Sequence, residues 1–318
     1  MRFSRFVLIL VASLQAAPAG SQSANTDWFH AAKYGVFMHF LPENSTQLLQ
    51  VEKFDEKYLA KQLEEGGAGY FVITLGQNSG CFIAPNAVYG KFTGYGPGER
   101  CSKRDLPSDL FSALQPKGIR LLLYLPCQVP NQDARAQRAF GLREGPQDQP
   151  LSIPFAQKWA RVIEEWADHY GDKVSGWWFD GGYEHIGFNN EIAVLYAAAV
   201  HHGNPKAIVT FNPGVKVIRW TEAEEYTAGE LNEPLKIVPE SRWLNGSQWH
   251  ALTYLGSTWA KQDTRFNAEQ CANWVDAVTT RGGVVTLDMG PSWVGAPVGS
   301  LASGQFEQLK TIRGKVRK

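Results

Sequence analysis

Between Tyr34 and Ile312, short apolar runs alternate with longer stretches in which apolar residues recur every three or four positions. The runs are Tyr34–Phe40, Tyr70–Leu75, Ile119–Leu125, Val174–Phe179, Ala207–Phe211, Ala251–Leu255 and Val284–Leu287, with one more expected within 224–240. Runs rich in β-branched and aromatic residues read as strands covered on both faces. The stretches over 56–65, 106–117, 155–170, 190–200, 268–280 and 305–312 read as helices with one apolar face. Eight strands joined by helical crossovers, in about 290 residues, predict a single-domain α/β fold, a (β/α)8 TIM-like barrel. A doubly wound open sheet is the second choice, because no Gly-x-Gly-x-x-Gly follows the first strand.

The N-terminus has a different character. Arg2 and Arg5 precede the apolar run Phe6–Leu14, and AAPAGSQSA follows. This pattern predicts a signal peptide over 1–24, cleaved between Ala17 and Ala24, and a secreted or periplasmic barrel over 25–318. The apolar run is too short for stable membrane insertion. With 31 basic and 31 acidic side chains, nothing electrostatic calls for a nucleic-acid partner. An exported chain can form disulfides, and Cys81–Cys101 is the expected pair, clipping a Gly-rich loop. The cysteine spacing fits no metal site, and no cofactor is expected. Homo-oligomerisation stays open.

A barrel of this kind carries its site at the C-terminal ends of its strands. The stretch KVSGWWFDGGYE, 173–184, places Asp180 at such an end, followed by two glycines that let another molecule approach. The other strand ends bring His39, Gln77, Asn78, Tyr124, Trp178, Tyr183, Asn212, Trp259 and Asp288 as candidate substrate-binding residues. Amides, carboxylates, a histidine and aromatic rings together suit an oligosaccharide or polysaccharide, whose hydroxyls need donors and acceptors and whose ring faces stack. Cleaving a glycosidic bond needs two carboxyl groups. Asp180 is the expected nucleophile, and Glu230 is the first choice for the acid/base, with Glu184 and Glu240 as alternatives. Most glutamates are surface residues in any protein, and Asp288 could equally order the loop that follows it.

Several segments together resemble the α-L-fucosidase family, glycoside hydrolase family 29. They are WFHAAKYGVFMHF at 28–40, AGYFVITLGQNSG at 68–80, SKRDLPSDLFSALQPKGIRLLLYLP at 102–126, WWFDGG at 177–182 and NWVDAVTTRGGVVTLDMGP at 273–291. The resemblance implies a retaining exo-glycosidase in which His39 binds substrate and Asp180 is the nucleophile. EYTAGE at 225–230 is the best match to the stretch bearing the family's acid/base, which implies Glu230. Where the family has a Lys-His-His-Asp-Gly run, this chain has Gly76-Gln77-Asn78-Ser79-Gly80, and Asp288-Met289 replaces an Asn before Gly-Pro. These changes leave two alternatives: a related enzyme for a galactoside, arabinoside or sulfated sugar, or a carbohydrate-binding homologue impaired in catalysis.

Overall fold

The computed structural model describes residues 24–145, 149–295 and 297–317. The expected signal peptide lies, except for its last residue, outside the described residues. The strands are β1 (Tyr34–Met38), β2 (Tyr70–Thr74), β3 (Arg120–Pro126), β4 (Val174–Asp180), β5 (Ile208–Phe211), β6 (Trp243–Leu244), β7 (Ser247–Gln248), β8 (His250–Tyr254) and β9 (Val284–Asp288). Seven of them form a curled parallel sheet in the order β5-β4-β3-β2-β1-β9-β8. The two shortest, β6 and β7, pair antiparallel beside it. Helices Glu56–Glu65, Leu106–Leu114, Ile153–Tyr170, Asn190–Gly203, Ala268–Thr280 and Ser303–Val316 flank the sheet where the periodicity expects them. The side chains of Asp55, Asp105, Ser152, Asn189 and Asn267 start five of these by accepting a first-turn N–H. Short helices at Ser45–Leu48, Ala87–Thr93 and Ala134–Phe140 were not expected, since one or two turns carry too little periodicity to read.

The expected eighth strand is missing from the sheet. No described strand lies within 224–240. Instead, the chain at 225–231 runs beside β7 and β8 through isolated bridges, Tyr226 to Gln248 and Glu230 to Leu252. It reaches β5 through the Glu225 N–H, 3.0 Å from the Val209 carbonyl oxygen. The reason is local. Gly229 has φ +65°, and a Cβ there would stand 1.9 Å from the His250 carbonyl oxygen. A left-handed residue held that close interrupts a regular ladder. The result is an α/β domain whose parallel sheet is curled and partly open between β5 and β8.

Side-chain alternation sorts the sheet into two faces. On β4, Trp177 and Phe179 join the helix-facing core with Trp159 and Trp166, while Trp178 joins the interior with Phe37, Tyr124, Tyr226 and Leu252. The N-terminal end of the interior is filled. Phe29 packs 4.8 Å from Tyr70 and 5.4 Å from His250, ring to ring. The Thr286 hydroxyl lies 2.6 Å from both the Tyr70 hydroxyl and His250 Nε2. Burial pushes the His250 imidazole down to about 4, so it is neutral packing. Only the C-terminal end is left to hold a site.

The expected Cys81–Cys101 disulfide is not formed. All four cysteines are free thiols. Phe82, not Cys81, pairs with Cys101 across a bridge, so Cys81 points the other way and lies 3.8 Å from Arg100 Nη1.

Candidate active site

A cavity of about 410 Å³ opens at the C-terminal ends of the strands. Its walls include His39, Gln77, Tyr124, Trp178, Asp180 and Glu230. β1 ends one residue before His39, and β4 ends at Asp180, which stands in register with Pro126 of β3. Both positions follow from the strands. The glycine after Asp180 has φ +73°, which turns the chain away and aims its own N–H at Asp180 Oδ1, 2.8 Å away.

Asp180 is surrounded by donors. The Tyr124 hydroxyl donates to Oδ2 at 2.6 Å, and Asn212 Nδ2 donates to Oδ1 at 2.9 Å. Gln77 Nε2 donates to the Tyr124 oxygen at 2.5 Å and lies 3.5 Å from Asp180 Oδ2. Burial, and then the neighbouring Asp180 charge, push the Tyr124 phenol well above its ordinary range. Tyr124 therefore stays protonated, passing a hydrogen bond from Gln77 to Asp180. Its ring stacks on Trp178 with centroids 5.4 Å apart, which fixes the phenol's direction.

Asn212, at the end of β5, joins the two carboxylates. Its Oδ1 accepts the Gly214 N–H at 3.0 Å, so Nδ2 must face the cavity. That one nitrogen donates to Asp180 Oδ1 at 2.9 Å and to Glu230 Oε2 at 2.6 Å, using both of its hydrogens. The two oxygens can be no farther apart than those distances end to end, about 5.5 Å. Burial raises the Glu230 carboxyl above its ordinary value; the Asp180 charge pushes the same way, while Asn212 and His39 oppose the rise. A carboxyl raised by burial, beside one that accepts several hydrogen bonds, is the kind of arrangement that an acid paired with a base or nucleophile needs.

The opposite wall is built on β9. Asp288 is buried, with its side chain 1% exposed, and accepts from His39 Nδ1 at 2.8 Å and from the Ala260 N–H at 2.7 Å. An ionised carboxylate only accepts, so Nδ1 carries the hydrogen and Nε2 is the ring nitrogen left for a ligand. Ala260 has φ +62°, an uncommon conformation that this bond helps hold, and it brings Trp259 edge-on to His39 at 5.5 Å.

The cavity thus gathers His39, Gln77, Tyr124, Trp178, Asp180, Tyr183, Glu230 and Trp259 of the expected residues. Asn212 and Asp288 lie beneath the surface and act through their neighbours. Asn78 does not line the cavity, and its carbonyl accepts the Gln132 N–H at 2.9 Å. Glu184 is exposed in an adjoining hollow. Glu240 is exposed too, and its neighbour Pro239 packs against Gly283 at the N-terminal end of β9, away from the site. Phe37, Leu41, Leu252 and Ala260 also line the cavity. Alternation from His39 could have found Phe37, but Leu41 and Ala260 sit in loops without a readable pattern. Away from the cavity, Glu164, Asp168 and His202 bring ligand-type atoms within 4.8 Å of one another. His202 Nδ1 lies 2.6 Å from Asp168 Oδ1, an ordinary surface pairing.

Residues 42–313 match the family model described as alpha-L-fucosidase. No curated protein sequence matches the chain. Among solved structures, an endo-fucoidan hydrolase from glycoside hydrolase family 107 is similar over 91% of this chain and 53% of its own, with TM-score 0.68 and 16% identity. The chain therefore spans about half the length of that relative. Alpha-L-fucosidase isoenzyme 1 from Paenibacillus thiaminolyticus is similar over 92% of this chain and 75% of its own, with TM-score 0.67 and 16% identity. Alpha-L-fucosidase AlfC from Lactobacillus casei, in complex with alpha-L-fucose product, is similar over 93% and 98%, with TM-score 0.62 and 15% identity. At these identities the likeness is one of fold.

Proposed function

The chain belongs to the alpha-L-fucosidase family of glycoside hydrolases, and from that premise we propose that it is a retaining exo-glycosidase acting on a terminal α-L-fucosyl unit. One observation carries the reading: Asn212 holds Asp180 and Glu230 on a single nitrogen, with their oxygens no more than about 5.5 Å apart. Retaining enzymes space their carboxyl groups at about 5–5.5 Å, while inverting ones need about 6.5–9.5 Å to admit a water.

In this mechanism Asp180 attacks the anomeric carbon and forms a glycosyl ester. Glu230 gives its proton to the departing oxygen, so the leaving group departs neutral. Glu230, now ionised, takes a proton from water as that water attacks the ester. The bond to Asp180 breaks, its carboxylate is restored, and Glu230 ends protonated. Tyr124, Gln77 and the Gly181 N–H hold Asp180 in line. His39 Nε2 and the rings of Trp178 and Trp259 supply the contacts to the sugar. The related fold, with 225–231 in the sixth-strand place, is the eight-unit barrel with its site at the C-terminal end.

The apolar run Phe6–Leu14 supports export, and 25–318 is then the catalytic domain. Among the described residues no helix is long and apolar enough to cross a membrane. The test is turnover of aryl α-L-fucoside against aryl galactosides and arabinosides. Hydrolysis of the fucoside supports the reading, whereas hydrolysis of another sugar alone would move it to the neighbouring substrate class that the changed Gln77–Asn78 loop leaves open.

A further inference from the structure

Two smaller cavities adjoin the catalytic one in sequence, each sharing a wall residue with the last. The first, about 350 Å³, shares Tyr183 with the catalytic cavity and includes Glu184, His185, Pro213, Lys216 and Trp220. The second, also about 350 Å³, shares Trp220 and includes Asn190, Arg219 and Glu222. Each volume is within the range of small-ligand sites, about 300–1,000 Å³. An aromatic residue stands at each junction. The line of cavities begins at the C-terminal ends of β4 and β5, since Tyr183 and Pro213 lie in the loops that follow them.

The lining has the chemistry of a saccharide subsite. Tyr183 and His185 are stacked, with ring centroids 5.3 Å apart and planes 14° from parallel. Lys216 Nζ lies 5.9 Å from the Trp220 ring centroid, which places a donor beside the indole face. Glu184, exposed at the end of the loop from β4, adds an acceptor. Apolar ring faces, with two cations and two carboxylates along the pair of cavities, match sugar rings and their hydroxyls better than a lipid or a nucleotide.

Resting on the retaining exo-glycosidase reading, we propose that these cavities form one cleft for the leaving-group side of an extended oligosaccharide, with Trp220 as its platform. An exo-acting enzyme seats the terminal sugar in the catalytic cavity, so the rest of the chain leaves through the Tyr183 junction. The preferred substrate is therefore the terminal unit of a glycan several sugars long, not a short glycoside.

The test compares kcat/KM for oligosaccharides of two, three and four sugars, each ending in an α-L-fucosyl unit. A gain of about tenfold from two sugars to four is expected, as one or two stacking contacts would give. In Trp220→Ala that gain falls below about twofold, and Trp220→Phe restores most of it. A flat length dependence, or a gain that survives Trp220→Ala, overturns the cleft. If Trp220→Ala does not fold, Lys216→Ala decides, because Lys216 is exposed; a gain cut by about half supports the cleft and an undiminished gain overturns it. Failure of the wild type to hydrolyse any α-L-fucoside is a separate result, which defeats the functional reading. Calorimetry of the same series on the wild type then judges the cleft: affinity rising with length supports it, and affinity independent of length overturns it.

Discussion

β4 and the segment 225–231 each deliver one carboxylate to the same cavity, by opposite means. β4 is paired along its length with β3 and β5, and its register puts Asp180 at a fixed height. The segment 225–231 has only isolated bridges, and Gly229 brings Glu230 into place through an approach no side chain would permit. The two regions also treat their acids differently. Asp180 is met by donors from four residues, Gly181 included. On the segment side, burial pushes Glu224 up to about 8 and Glu225 up to about 7, and it raises Glu230. In the proposed mechanism a regular strand thus holds the nucleophile, and an irregular buried segment holds the acid/base, whose carboxyl burial raises.

Removing each carboxylate in turn breaks this comparison most severely. Asp180→Ala should lower aryl α-L-fucoside turnover by about 10⁴-fold or more, with an unchanged circular dichroism spectrum. Near-normal turnover would take the nucleophile away from β4. Glu230→Ala should cost about 10²–10⁴-fold, less for substrates with good leaving groups, and added azide should restore part of the rate. Rescue at Glu184→Ala instead would assign the acid to the neighbouring loop.

Asn212 sharpens the comparison because it touches both sides. Asn212→Ala removes a donor that favours ionised Glu230, so the Glu230 carboxyl should rise further. Since the proposed acid must be protonated to act, the alkaline limb of the kcat/KM profile should move to higher pH, with a loss of about 10–100-fold in rate. An alkaline limb that stays in place would separate it from Glu230.

The smallest effect is on stability. Glu224 keeps its proton up to about pH 8 when folded, against an ordinary value of 4.5 when unfolded. The folded state binds the extra proton between those values, so this contribution is complete below 4.5 and is lost as pH rises through 8. Glu225 acts likewise up to about 7. His250, held down at about 4, works in the opposite direction below its ordinary 6.5. Above pH 6.5 the His250 contribution is gone, and Glu224 should cost on the order of 2 kcal/mol between pH 6.5 and 8. Thermal unfolding should show Tm falling over that range, and Glu224→Gln should flatten the fall. An unchanged slope would mean that Glu224 is ionised in the folded chain.

The same contrast explains what could be read from the sequence. Strand runs show their ends, so the placement of Asp180 and His39 at the cavity was legible from position. Glu230 was one of several glutamates, because residues without a period-two pattern give no height or facing. Its place depends on Gly229 against His250 and on Asn212, contacts made by distant parts of the chain. Asp288 was visible as a strand end, but its task of orienting His39 and bonding the Ala260 N–H appears only in three dimensions. The Cys81–Cys101 pairing failed for a related reason: the bridge register turned Cys81 away, and an even cysteine count says nothing of register.

Proton NMR of the first-formed sugar tests the central claim most directly. With Asp180 Oδ1 and Glu230 Oε2 no more than about 5.5 Å apart, hydrolysis of an α-L-fucoside should release the α-anomer first, with the β-anomer growing in only by mutarotation. Initial release of the β-anomer would contradict the account, because inversion requires a water placed between two more widely spaced carboxyl groups.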